Sequence, residues 1–479
     1  MYPKLALLID GEWLEEAGRQ SQPVHNPATG EFLGALPLAT PQDIDRAIDA
    51  ADKAFLAWRR VTALERGRIL MRVADALRAR AQGLARILTL EQGKTLAEAA
   101  GEIIGCADTF EWMAEEGKRV YGRIVPSRFA GSEQLVTQEP IGPVGAFSPW
   151  NFPAVLACRK IATALAAGCT IVIKPAEETP GILVAIARIC QEAGVPDGVL
   201  NVVYGVPDDI SRRLIASPKI KKLSFTGSVP VGRHLAALAG AAMKKITLEL
   251  GGHSPVIVMD DTDIERVATM AVAAKFRNAG QLCHCPTRFF VHERVHSRFV
   301  EAFATRARAL RVGDGLRPDT QMGPLINARR LTAMRELTED AAGKGARVLC
   351  GGESPSDAGN GFFWMPTVLD NLPDNARALS EEPFGPLALM IPFATLEDAI
   401  GMANTVEYGL ASYAFTNSMQ AAQRIQETIE AGCLSLNTFS MSPPELPFSG
   451  VKQSGQGAEM GSEGLLEHFR VKAVIRATL

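Results

Sequence analysis

The chain has almost no net charge and no run of basic side chains. Its 50 Lys and Arg stand against 53 Asp and Glu over 479 residues, a formal charge of −3, which leaves no electrostatic footprint for nucleic acid or an anionic membrane surface. Long apolar runs are absent as well. The stretch from Ile161 to Ile173 is broken by Thr163, Gly168 and Thr170 and falls short of the ~20 residues a spanning helix needs. At the N-terminus, Asp10, Gly11 and Glu12 close the short apolar stretch after Lys4 before a signal-peptide core or cleavage site forms, so the expected location is the cytosol. Cysteine is sparse: eight residues, at 106, 158, 169, 190, 283, 285, 350 and 433, are too scattered for a disulfide framework and fit a reducing compartment. Only Cys283 and Cys285 are close, and C-x-C without a second cluster argues against a zinc site, so no metal is expected.

What is present is an ordinary globular composition, 47% hydrophobic and 22% charged, long enough for roughly three units of about 150 residues with a cleft between them. Residues 41–118 carry apolar side chains at helical period, as in DIDRAIDAADKAFLAW and RGRILMRVADALRARAQGLARIL. From 119 to 145 the pattern alternates and predicts strands separated by a turn. Short apolar runs (VGAFSP, TIVIKP, GVLNVVYG, KKLSFTG, KITLELGG, SPVIVM) then alternate with helical stretches up to residue 257, the signature of a parallel sheet covered by helices on both faces. The alternation resumes from 263 to about 440, so the expected class is α/β, with two such domains in succession. The tail, FRVKAVIRATL, alternates like a strand and is expected to pair with an extended segment of this chain or of a neighbouring subunit.

Several residue groups can carry chemistry. Cys283, in FRNAGQLCHCPTR, follows a helix predicted to end at Gly280, where backbone amides, Asn278 and Gln281 can surround a thiolate. Glu249 ends the strand-like run ITLELGG, whose glycines let a carboxylate be aimed into a cleft. FTGSVPVG (225–232) lies between a predicted strand and a predicted helix, so Gly227 and Ser228 can admit a phosphate to a helix N-terminus; it is neither G-x-G-x-x-G nor a P-loop. KPAEETP (174–180) sets Lys174 and Glu177 three residues apart at another strand end. Each of these alone also reads as an ordinary packed thiol, solvated acid or surface turn.

Taken together, PWNFP (149–153), KPAEETP, FTGSVPVG, LELGG, GQLC and EEPFGP (381–386) stand in the order and spacing of the aldehyde dehydrogenase superfamily, a resemblance that covers essentially the whole chain. EWMAEEGKRVYG (111–122), CRKIATALAAGC (158–169), KFRNAGQLCHC (275–285) and PFSGVKQSGQG (447–457) resemble the succinate-semialdehyde and α-ketoglutarate-semialdehyde dehydrogenases within it. Ser449 in place of the usual Gly of PFGG, and HCPTR in place of VCxNR, are departures that bear on the substrate.

The resemblance implies an aldehyde dehydrogenase-like fold: an NAD-binding domain at 1–118 and 141–251, a catalytic domain at 252–448, and an oligomerisation arm and C-terminal tail at 119–140 and 449–479. It makes Cys283 the nucleophile, Glu249 the general base, and the Asn151 amide with the Cys283 N–H the oxyanion donors. Lys174 and Glu177 match the residues that hold the adenine-side ribose, and Glu382, with Phe384 beside it, the nicotinamide ribose. Gly227 and Ser228 fall by the pyrophosphate, and Trp150 and Leu250 in the cofactor pocket. A carboxylate at 177 accepts from a 2′-hydroxyl and repels a 2′-phosphate, so NAD is favoured, with NADP as the alternative. Arg159, Arg277 and Ser442 match the contacts to the distal carboxylate of succinate semialdehyde, which would be oxidised to succinate; α-ketoglutarate semialdehyde would use the same pair of arginines. Cys285 matches a second cysteine that, in some relatives, forms a regulatory disulfide with the nucleophile. The expected partners are the semialdehyde and a second or further copy of the chain, in a homodimer or homotetramer. A non-catalytic binding protein and a CoA-acylating enzyme are the competing readings; intact Cys283, Glu249 and Asn151 oppose the first, and Glu249 the second.

Overall fold

Threonine starts the helices that back the first domain. At Thr40, Thr62 and Thr95 the hydroxyl accepts the amide three residues on, and Asp43, Glu65 or Glu98 returns the bond to the threonine N–H. These capping boxes satisfy otherwise orphaned amides and open the helices Pro41–Trp58, Ala63–Ala79 and Leu96–Glu116. Between the latter two, Ala81–Gln92 ends at a left-handed Gly93. The structure is a computed structural model that describes residues 2–356 and 358–477; Met1, which opens the expected NAD-binding segment, Asp357 in the expected catalytic segment, and Thr478 and Leu479 at the end of the predicted tail strand lie outside the described residues.

The first large sheet has eight strands. Its parallel centre runs in the order Leu200–Val202, Ile171–Lys174, Val144–Phe147, Lys222–Thr226, Lys245–Glu249. Leu7–Ile9 with Glu12–Leu14 closes one edge, and Gly455–Gln456, from the segment grouped with the tail, pairs antiparallel with Leu248 and Glu249 at the other. The chain direction across the sheet reverses between Val144–Phe147 and Lys222–Thr226. Such a switch point leaves a crevice beyond the carboxyl ends of the strands, where ligands bind in open α/β sheets. Helices Pro153–Ala167, Pro180–Glu192 and Ala99-side residues of Leu96–Glu116 join the same apolar core.

The second sheet has seven strands, Arg347–Cys350, Thr367–Asp370, Leu387–Phe393, Pro286–His292, Ser254–Val258, Ala411–Phe415 and Cys433–Leu436, parallel except for the first. The strands Thr367–Asp370 and Leu387–Phe393 and the helix Ala328–Gly343 add to the elements expected from the sequence. Segments entering this sheet, Gly251–Gly252, Cys283 and Glu382–Phe384, face the carboxyl ends of the first one across a common cavity.

One element differs from expectation near Cys283. The helix begun at Ile264 ends at Phe276, not Gly280, because Asn278, Ala279 and Gly280 take left-handed φ values of 49°, 52° and 73°. A Cβ at residue 280 would lie 2.2 Å from the Gly385 carbonyl oxygen, so the turn needs glycine for space as well as for φ.

The tail strand Phe469–Ala477 pairs antiparallel with Ser132–Pro140 of the same chain, with Arg123–Val125 on its far side. This three-stranded arm leaves Ile124, Phe129, Val471 and Ile475 exposed.

Candidate active site

Three strand ends of the first sheet deliver the polar half of the site. Val144–Phe147 runs into Trp150 and Asn151, Lys222–Thr226 into Gly227 and Ser228, and Lys245–Glu249 ends on Glu249 itself. With Cys283, Glu382 and Phe384 from the facing segments, they line a cavity of about 490 Å³.

Glu249 is pinned through its backbone. Its carbonyl accepts from Gly227 N–H at 3.1 Å, and the next amide, Leu250, donates to Ser454 O at 2.8 Å. The carboxylate is 1% exposed, and neither oxygen has a hydrogen-bond partner among the described residues. Burial, reinforced by the charge of Glu459, raises its pKa to about 7, against the opposing pull of the Cys283 thiol, Lys160 and Arg159. A carboxyl group poised there can exchange a proton near neutral pH.

Cys283 is half-buried, and its Sγ lies 3.6 Å from His284 Nδ1. Burial, followed by the nearby charge of Glu249, pushes the thiol well above its ordinary pKa. His284 gives no cationic help: burial and the guanidiniums of Arg277 and Arg159 depress its pKa to about 3, so it is neutral. The thiol proton therefore needs a base, and Glu249 is the one at hand.

The loop beneath Cys283 is fixed by amides. Gln281 donates through Nε2 to Asn278 O and Pro324 O and accepts from Ile326 N–H at 3.0 Å. Asn278 N–H donates to Glu98 at 2.7 Å, and its side chain to Asn151 O at 3.0 Å. Asn151 Nδ2 donates to Gln281 O at 3.1 Å, leaving its second N–H free, and the Cys283 N–H has no partner among the described residues. Asn151 and Cys283 line the same cavity, so two unpaired donors stand in its wall.

Sequence reasoning missed the buried ion pairs behind these groups. Lys94 pairs with Glu102 and donates to Asn151 O at 2.9 Å, while Glu102 accepts from the Ala154 and Val155 amides and so caps the helix after PWNFP. Lys160 pairs with Glu459 and donates to Thr226 at 2.8 Å, below Glu249. The only trace of either in the sequence is a lysine within an apolar or glycine-flanked stretch.

The residues expected to hold a dinucleotide fit one. The helix Val229–Ala241 starts directly behind Ser228, which lines the cavity, and has no side-chain cap on its first amides. Glu382 accepts from Gly252 N–H at 3.0 Å and is raised to about 8 by burial; a Cβ on Gly251 would strike its Oε2 at 2.4 Å, so glycine admits the carboxylate. Trp150 meets Phe384 edge to face at 5.5 Å. Lys174 and Glu177 form an ion pair with each other, outside the residues that line the cavity.

Of the three expected substrate contacts, two meet: Arg159 Nη2 donates to Ser442 Oγ at 3.2 Å, with its guanidinium over the Phe448 ring. Arg277 is exposed and lies over Phe152. It does not line the 490 Å³ cavity but a second one of about 320 Å³, which the residues flanking Cys283, Leu282 and His284, also line. The cysteine thus stands between the two cavities. Cys285 is buried, free, and turned to Lys275, whose Nζ lies 3.2 Å from its sulfur.

The aldehyde dehydrogenase family matches residues 13–474. The chain is 49% identical over 459 residues to 4-(hydroxymethyl)benzenesulfonate dehydrogenase TsaD1 of Comamonas testosteroni, covering 96% of this chain and 95% of the relative. It is 43% identical over 465 residues to the succinate-semialdehyde dehydrogenase GabD of Escherichia coli, named for NADP, covering 97% and 96%. The solved succinate-semialdehyde dehydrogenase of Burkholderia pseudomallei superposes with a TM-score of 0.96 at 44% identity, covering 99% of this chain and 98% of that one. The chain belongs to the aldehyde dehydrogenase family and is an NAD(P)-dependent aldehyde dehydrogenase.

Proposed function

We propose that the enzyme oxidises an aldehyde whose far end is anionic, succinate semialdehyde to succinate being the simplest case, with NAD preferred. The observation that supports this reading is the pair of guanidiniums near Cys283 and His284: Arg159, held by Ser442, and Arg277 in the second cavity. Both bear on His284, the residue next to the nucleophile. A guanidinium offers a planar anion two parallel bonds.

In this reading Cys283 gives its proton to Glu249 and adds to the aldehyde carbon, and the oxyanion is held by the Asn151 amide and the Cys283 N–H. Hydride loss, for which the bound dinucleotide supplies the acceptor, leaves a thioester on Cys283. Glu249, having passed the thiol's proton on to solvent, then draws a proton from the water that cleaves the thioester, and the departing Cys283 thiolate is reprotonated to close the cycle. Gly227, Ser228 and the free helix amides would hold the pyrophosphate, Glu382 the nicotinamide ribose, Lys174 and Glu177 the adenine-side ribose, and Trp150, Leu250 and Phe384 the walls. Eight free cysteines support a reducing, cytosolic setting, and the exposed apolar side chains of the arm support a homodimer or homotetramer.

The test compares succinate semialdehyde with butanal, an uncharged aldehyde of the same length. The charged substrate is expected to have a kcat/KM at least about 100-fold higher, and Arg277→Gln to cut that preference about tenfold or more, mostly through KM, in keeping with ~1.5–3 kcal/mol for a charge-assisted bond. Equal kcat/KM for the two aldehydes in the wild type would refute the reading. For the cofactor, Glu177→Ser is expected to lower the NAD:NADP ratio of kcat/KM about tenfold, the size of one like-charge contact of about 1–2 kcal/mol near water; an unchanged ratio would remove Glu177 from that role.

A further inference from the structure

The second cavity has an aromatic character that a short linear chain does not need. Beyond Leu282 and His284 its walls include Met270, Tyr413 and Phe439, with Arg277 as its charged group. Tyr413 and Phe439 pack ring to ring at 5.0 Å. His284 is fixed at both ends: its carbonyl accepts from the Tyr413 hydroxyl at 2.8 Å, and its ring meets Phe448 edge to face at 6.0 Å with an interplanar angle of 80°. The volume, about 320 Å³, exceeds the ~150 Å³ in which a protein interior takes up benzene, so a six-membered ring with one substituent fits. A four-carbon semialdehyde leaves much of it to water.

Position matters as much as volume. His284 is adjacent to the nucleophile, and its Nδ1 is 3.6 Å from Sγ. Any group attached directly to the reacting carbonyl carbon on this side must pass the imidazole. A neutral aromatic ring there offers an edge or a face to another ring, worth about 0.5–1.5 kcal/mol beyond burial; it offers a methylene chain little more than contact.

We propose that His284 is the specificity-determining residue of this chamber and that the chamber takes an aromatic ring, so that benzaldehydes carrying a carboxylate or sulfonate opposite the aldehyde are better substrates than linear semialdehydes. The anionic part rests on the reading of Arg159 and Arg277 above; the ring part rests on His284 and the chamber. The 49% identical relative is named for a benzenesulfonate, the same shape of molecule.

The two parts separate in a two-by-two set of aldehydes: 4-formylbenzoate, benzaldehyde, succinate semialdehyde and butanal, with 4-formylbenzenesulfonate added to compare the two anions. Ring preference is the ratio of 4-formylbenzoate to succinate semialdehyde, and of benzaldehyde to butanal, in kcat/KM. Anion preference is the ratio within each shape. Wild type is expected to prefer the ring at least tenfold in both comparisons. His284→Val should lower ring preference about tenfold while changing anion preference less than about threefold, and His284→Phe, which restores a ring, should recover most of the loss. Ratios cancel any common damage to the nucleophile. A wild type with no ring preference, or a ring preference unmoved in His284→Val, overturns the inference; a lost anion preference with ring preference intact overturns only the arginine reading.

Discussion

Cys283→Ala is expected to abolish NAD(P)⁺ reduction, by on the order of 10⁵-fold or more, with the fold and dinucleotide affinity retained. Deleting the nucleophile of a covalent enzyme removes the reaction path itself, and losses near 10⁶-fold occur in such enzymes. The thiol has little structural work to lose: its side-chain neighbours are the Glu249 carboxyl and His284 Nδ1, the latter at the long distance of 3.6 Å. The loop around it is held by other atoms, the Gln281 amide, the Asn278 side chain and the Tyr413 hydroxyl on His284 O. Stability should therefore change by less than about 1 kcal/mol. The checks are initial rates with aldehyde, dinucleotide binding by fluorescence quenching, and a thermal melt. Turnover within about 100-fold of wild type would remove Cys283 from the chemistry, whereas lost dinucleotide binding would make it a packing residue.

The parallel strands of the first sheet were legible in the sequence because each is an apolar run closed by a glycine or proline: the strands within VGAFSP, TIVIKP and KLSFTG are buried along their whole length; their order in the sheet was not. The same turn residues mark where the site lies. Glu249 and Cys283 were legible singly as strand-end or loop residues, and Asn151 only with them, through motif order. What the sequence did not disclose depends on long-range packing. The left-handed run Asn278–Gly280 follows the helix directly, and its setting is long-range: the Gly385 carbonyl lies against Gly280 and the Glu98 carboxylate accepts from Asn278 N–H. Lys94 and Glu102 are eight residues apart, yet their joint effect is on Asn151 and the helix start at Pro153. Lys160 and Glu459 are nearly three hundred residues apart in the chain and meet under Glu249. No local pattern reports a charge pair closed over such a distance.

Burial, with Glu459 of the second pair beside it, sets the working range of the base, which leads to the second large effect. Glu249→Gln is expected to lower steady-state turnover by about 10²–10⁴-fold, the usual span for loss of a positioned general base. The acyl-enzyme should accumulate, because the amide cannot accept the proton of the hydrolytic water and breakdown of the thioester is slowed more than its formation. In the wild type, burial and Glu459 hold the Glu249 pKa up at about 7. The sign follows directly: below that pH the carboxyl is protonated and cannot act as a base, above it the carboxylate is formed, so hydrolysis should rise from pH 6 to 8 and level off, while the Glu249→Gln profile stays flat over the same range. Rapid quenching followed by mass spectrometry of the intact chain reads the thioester as added mass on Cys283. Repeating the assay with free CoA separates hydrolysis from acyl transfer. If Glu249 serves water, wild-type turnover is complete without CoA. Slow turnover in Glu249→Gln with no adduct on Cys283 would place the lost function before the thioester, at thiol deprotonation alone, and a pH profile identical to the wild type would take Glu249 out of both steps.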